Sequence, residues 1–178
     1  MTEYKNVLVF GEMDGENLSS VTAQVMRIGK ILSGDIVVDM KYRISVDCGL
    51  SFEEMIKKSN CSWVADEIKK PPLPIKGKGK QDLFVKLFHF HQEMTVDGVI
   101  AEMKKQGCRP AKIEELLAFS GSYVPLGSPD VIALGSIRDK SVPCVGYLGS
   151  LLSLRLYQLK IIPGDEHIAC YFLAVCLK

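Results

Sequence analysis

Charge of one sign is missing from this chain. Twenty-two Lys and Arg oppose 21 Asp and Glu over 178 residues, for a formal net charge of +1. That balance excludes the electrostatic footprint of a nucleic-acid binder. Long hydrophobic runs are missing too. No stretch without a charge exceeds 14 residues, the length of Ser141 to Leu154, too few to span a bilayer. Met1-Thr-Glu-Tyr-Lys-Asn places an acid ahead of its apolar run and offers no small-residue cleavage site. It does not read as a secretory signal, so the expected location is cytoplasmic, with no membrane insertion.

Catalytic and metal signatures are equally thin. No GxSxG elbow and no GxGxxG after a strand occurs, and Lys76-Gly-Lys-Gly-Lys80 lacks the Ser or Thr and glycine spacing of a phosphate loop. That segment reads as a solvated connection. The chain has three histidines. His89 and His91 would share a strand face, but His167 is far away, so both read as ordinary strand residues. After Val131 the acids are only Asp139, Asp165 and Glu166, too few for a calcium cage. No CxxC is present among Cys48, Cys61, Cys108, Cys144, Cys170 and Cys176. They read as free thiols in apolar surroundings of a reducing compartment. The expectation is therefore no cofactor, no metal and no enzyme.

What is present is pattern. Asn6 to Phe10 reads as a strand, and Ser19 or Ser20 starts a helix to about Leu32. Ile36 to Val46 alternates as a strand with Val38, Met40, Tyr42, Ile44 and Val46 on one side. Ser51-Phe-Glu-Glu54 fits a capping box, and Trp63 reads as a core anchor. Pro71, Pro72 and Pro74 mark a loop, and Leu83 to Phe90 reads as a strand. Thr95 caps a helix carrying Val96, Val99, Ile100 and Met103, and Gly107 stops it. A second helix from Lys112 to Phe119 buries Ile113, Leu116 and Leu117. Beyond it lie short apolar runs and turn residues, Val131 to Leu134, Val142 to Val145, Leu152 to Leu159 and Tyr171 to Val175. Helices in the first two-thirds and strands at the end predict an α+β fold.

Four segments in this order carry a resemblance. They are Leu87-Phe-His-Phe with Met94 to Phe119, Val131-Ile-Ala-Leu-Gly-Ser136, Val142-Pro-Cys144, and Tyr171-Phe-Leu-Ala-Val175, joined by Leu50 to Met55 and Trp63. Over Ile36 to Lys178 the chain resembles variable proteins diversified by retroelements in small-genome bacteria, archaea and their viruses. It departs from them in having no Trp after Trp63 and Tyr171, not Arg, before Phe172. The resemblance implies a C-type lectin-like fold over 36–178, with a small antiparallel sheet and long loops at its C-terminal end and no obligatory calcium. It also implies a hypervariable binder of an unidentified protein or cell-surface ligand. Adenine rewriting of AAC codons yields codons ending in C, which cannot encode Lys, Gln, Glu, Met or Trp. Gln158, Lys160 and Glu166 should then be fixed. Residues 1–35 lie outside this match. Tyr4 to Phe10 and the helix start at Ser20 locally resemble the beginning of an electron-transfer flavoprotein α-subunit, short of the flavin-binding part. A small flavin-linked or lectin-fold enzyme using Cys144 or Cys170, or an oligomerisation module, are the alternatives.

Alternation along the tail assigns the display surface. Leu152, Leu154 and Leu156 point to a core, and Ser153, Arg155 and Tyr157 point outward. Leu159 breaks the alternation and predicts a bulge or turn near Gln158. Gly146, Tyr147, Ser150 and Leu151 are expected in the preceding loop, with His167, Ile168 and Cys170 before the last strand. These ten residues are the expected variable, ligand-binding set, and Ser153, Arg155 and Tyr157 among them supply the hydroxyl, guanidinium and phenol suited to a paratope.

Overall fold

The computed structural model describes residues 41–70, 72–90, 94–124, 128–159 and 170–177. The strand-helix segment expected in residues 1–35, and the Ile36 to Met40 start of the next strand, lie outside them. The elements in chain order are β1 (Lys41–Asp47), α1 (Phe52–Lys58), β2 (Trp63–Val64), α2 (Asp66–Lys69), β3 (Lys80–Phe88), α3 (Val96–Lys105), β4 (Cys108–Pro110), α4 (Ile113–Tyr123), β5 (Asp130–Ile132), β6 (Ser141–Leu148), β7 (Leu151–Gln158) and β8 (Cys170–Cys176).

Among the described residues, all eight strands join one sheet in the order β1-β3-β8-β5-β6-β7-β2, with β4 paired to the other end of β8 from β5. Of these described pairings, only β5–β8 and β2–β7 run parallel. The fold is thus mixed α and β, as the pattern of elements predicts, but the sheet is larger than the small antiparallel one expected at the C-terminal end. Strands β1, β3 and β4, interspersed with the helices, are drawn into it because β8 is central and needs partners on both sides.

Helices cover both faces. One face carries the larger core, where Tyr42, Ile44, Val46, Val85, Val145, Leu152, Leu154 and Leu173 meet Phe52, Met55, Leu116, Leu117 and Phe119. The other carries Phe88, Ile132, Val142, Cys144, Cys170, Phe172 and Ala174 against Val99 and Met103 of α3. Two covered faces explain why β6 and β8 read as continuous apolar runs. They also explain Leu159, which packs on the second core along the Ser153 face. The expected bulge is absent: Ser141 pairs with Gln158, and the Leu159 N–H donates to the Lys140 carbonyl at 2.7 Å.

Local chemistry fixes the helices. Ser51 and Glu54 form the reciprocal capping box of α1. Thr95 caps α3 through the Gly98 N–H, and Gly107 ends its connection at φ +68°. Helix α4 is anchored less obviously. The Ile113 N–H donates to the Ser136 hydroxyl at 3.0 Å, from the loop after β5. A β-carbon on Gly135 would approach the Ala111 carbonyl oxygen to 2.6 Å, so this position must be glycine for Ser136 to reach the helix. Leu-Gly-Ser136 is therefore a docking device for α4.

Buried Glu115 accepts the Lys112 N–H at 2.7 Å and a forked ion pair from Arg109, at 2.6 and 3.0 Å. Its neighbour Glu114, also buried, accepts the N–H groups of Lys76 and Gly77. The lysine-glycine connection is thereby tied to α4 by its backbone, while its lysines stay exposed.

Trp63 is a correction. It is 46% exposed, and its neighbour Val64 fills the core instead. Strand β2 is an edge of two residues, and alternation can bury only one of them. Among the described residues, no helix is long and apolar enough to cross a membrane.

Candidate functional site

The hairpin β6–β7 organises the expected surface. Its two-residue turn is Gly149-Ser150, with φ +63° at Gly149 and Leu148 opposite Leu151. A positive φ at the first central residue suits the right-handed twist of the flanking strands, and glycine accepts it without a steric cost. Gly146 and Tyr147 are therefore strand residues of β6, Leu151 opens β7, and only Ser150 lies in a loop.

A row of residues crosses five strands on the face away from α4. Cys170 pairs with Asp130, Gly146 pairs with Ser153, and Ser153 pairs with Trp63. Asp130 leans over Gly146, where any β-carbon would collide with its carboxylate. From there both Asp130 oxygens accept from Arg155 Nη2 at 2.6 Å. The pair is about 70% buried on each side, enough to escape most solvent screening. The Ser153 hydroxyl donates to the Gly146 carbonyl at 2.6 Å and is fully buried.

Three residues of the expected display set are consequently internal. Gly146, Ser153 and Cys170 are buried, so they are corrected from surface to scaffold. The row they occupy is filled by its own polar contacts. Arg155 and Tyr157 are half-buried, Tyr157 against the second core. Ser150 and Leu151 are exposed. His167 and Ile168, with the positions Lys160 and Glu166 expected to be fixed, lie outside the described residues.

Burial, with Asp130 nearby, pushes the Cys144 thiol up to about 12 and the Cys170 thiol up to about 11. Both are mostly protonated at neutral pH, and both are buried, so neither is presented to a reactant in solution. His89 Nδ1 sits 3.0 Å from the Cys170 carbonyl, and its ring packs on Tyr171. His91 lies outside the described residues.

On the opposite face of the same hairpin end, Tyr147 is half-buried and its hydroxyl donates to the Val124 carbonyl at 3.2 Å. With Ser150 it lines a cleft of 230 Å³ shared by Asn60, Ser62, Ser120 and Ser122. Asn60 and Ser120 are already committed to backbone carbonyls. The cleft is smaller than a typical drug-sized site and suits a single side chain or one small polar group.

Two exposed residues were missed by the sequence reading. Leu148 is 48% exposed beside Leu151 at 52%, and Trp63 joins them from the edge strand on the same face. Asp130 was missed as well, although a lone Arg155 in a leucine-rich strand demands an acidic partner. Against this geometry, no protein-family model, no curated protein and no solved structure matches the chain.

Proposed function

We propose that this chain is a ligand-binding protein of the retroelement-diversified kind, displaying its recognition surface at the β6–β7 end of a C-type lectin-like scaffold. The observation that carries the reading is the solvent-exposed trio Trp63, Leu148 and Leu151, grouped on one face beside a half-buried Arg155. Exposed large apolar side chains gathered at one end, next to a guanidinium, have the composition of a binding hot spot. Tyr147 and Ser150 extend the surface across the turn into the hydroxyl-lined cleft.

The proposed surface is narrower than alternation along the tail suggests. Ser150, Leu151, Tyr147 and Leu148 are its replaceable part, all of them residue types that a codon ending in C can encode. Trp63 cannot arise from such a codon and would be a fixed aromatic anchor. The ligand class is a protein or cell-surface molecule, bound by shape and by apolar burial. Protonated, buried Cys144 and Cys170 weigh against the enzyme alternative.

Sequencing the neighbouring DNA tests the proposal. A near-identical template repeat differing at adenines in codons 147, 148, 150 or 151, next to a reverse-transcriptase gene, is the expected result. A neighbourhood with neither would sink it. The oligomerisation alternative predicts self-association through the same trio, and light scattering of the chain with and without Leu148→Ser and Leu151→Ser separates the two.

A further inference from the structure

Strands β4 and β8 place two thiols directly opposite one another. Cys108 pairs with Cys176, Arg109 with Val175 and Pro110 with Ala174. The Leu177 N–H donates to the Gly107 carbonyl at 2.8 Å, and the Ala111 N–H to the Leu173 carbonyl at 3.0 Å. Hydrogen-bonded pairs alternate along an antiparallel ladder. Counting inward from both ends, Arg109 and Val175 form a hydrogen-bonded pair, and Cys108 and Cys176 a non-hydrogen-bonded one. Pro110, which has no N–H to give, falls on the other non-hydrogen-bonded position, as it must.

The non-hydrogen-bonded site is where opposed side chains approach most closely, with α-carbons about 4.5 Å apart. That lies inside the range a disulfide spans. The two sulfurs stand 4.0 Å apart, and rotation of one side chain toward the other suffices to close them to bonding distance of about 2.0 Å. Cys108 is buried and Cys176 half-buried. The pair thus has one thiol that a small molecule can reach and one that it cannot. Cys144 and Cys170, by contrast, sit on strands separated by β5 and cannot bridge.

We propose that Cys108 and Cys176 are a reversible redox site, closing to a cross-strand disulfide in the presence of a low-molecular-weight disulfide. In the first step the Cys176 thiolate attacks one sulfur of the small disulfide. The small S–S bond breaks, a mixed disulfide forms on Cys176, and one small thiol leaves with the proton. In the second step the Cys108 sulfur attacks Cys176 Sγ, the mixed disulfide breaks, and a second small thiol leaves. The protein loses two hydrogens and two electrons, and the small disulfide is reduced to two thiols. The new bond locks β4 to the central strand and fixes the strand that follows α3.

Burial holds the Cys176 thiol high, at about 11, as does its neighbour Cys108, while Lys86 and Lys41 pull it down. Exchange is therefore slow at neutral pH and is best followed at about pH 8.5. The full chain, fully reduced, is incubated with oxidised glutathione, quenched in acid, and read by intact mass and by peptide mapping without reductant. The expected result is a loss of about 2 Da, one cross-linked peptide pair joining 108 to 176, and reversal by a dithiol. Cys48→Ser should keep that cross-link and Cys176→Ser should abolish it. A glutathione adduct that persists on Cys176, a cross-link between any other two cysteines, or an unchanged mass in protein whose thiols react after urea treatment each overturn the proposal.

Discussion

The carboxylate of Asp130 occupies the space that a side chain on Gly146 would need, and from that position it holds Arg155 through both oxygens at 2.6 Å. Gly146→Ala should therefore act through the ion pair and not through backbone strain. The expected loss is about 1 to 3 kcal/mol in urea unfolding. Removing the obstruction should recover part of it: in the Asp130→Ala background the same glycine change should cost clearly less. Additive losses in that double-mutant cycle contradict the mechanism.

Arg109 and Glu115 form the most buried ion pair among the described residues, with Glu115 only 4% exposed at its side chain. Arg109→Ala leaves the carboxylate with only the Lys112 N–H and no cation, for a predicted loss of about 3 kcal/mol. Arg109→Ala with Glu115→Gln should be more stable than Arg109→Ala alone, because no buried charge is then stranded. Chemical denaturation of the two variants decides the matter.

Cys144 is buried in the second core, with its thiol raised to about 12. A thiol raised on folding favours the protonated form in the folded state, so its contribution is complete below the unfolded value near 9 and is lost as pH rises toward 12. Stability should hold steady from neutral pH to about 9, then fall by up to about 1.4 kcal/mol per pH unit for such a thiol. Cys144→Ala should flatten that alkaline slope while lowering stability at neutral pH. An unchanged slope in the variant counts against the assignment.

Trp63, Leu148 and Leu151 are large, apolar and about half exposed. Replacing each by Ser should change folding stability by less than about 0.5 kcal/mol. If the trio is the centre of a binding surface, the same changes should weaken capture of the ligand by tenfold or more. A large loss of stability instead, seen by thermal unfolding, would make the trio structural.

The helices were the legible part of this chain. Ser51 with Glu54, and Thr95 with the Val99 and Met103 stripe, are local signals that tertiary context left intact. In β7 the alternation between leucines and polar residues implies one wet face, whereas α3 and its neighbours cover the second face too. Ser153 then appears as display when its hydroxyl in fact closes on the Gly146 carbonyl. The exposed position of Trp63 was illegible because a two-residue edge strand has no periodicity to read. Asp130 was hidden by distance: its partner is 25 residues away, and only the pairing of β5 with β6 and β8 brings it over Gly146.

Strand β8 has a kinetic consequence. It is the hub on which β3, β4 and β5 all converge, and β3 is separated from it by more than 80 residues of chain. The loop-closure entropy of that pairing must be met before its hydrogen bonds form, which places this sheet among slow folders, on the order of milliseconds to seconds. Until it docks, the edges of β3 and β5 are unpaired templates. The risk of aggregation should therefore peak during refolding and respond more to changes in Leu173 or Val175 than to any change at the hairpin tip.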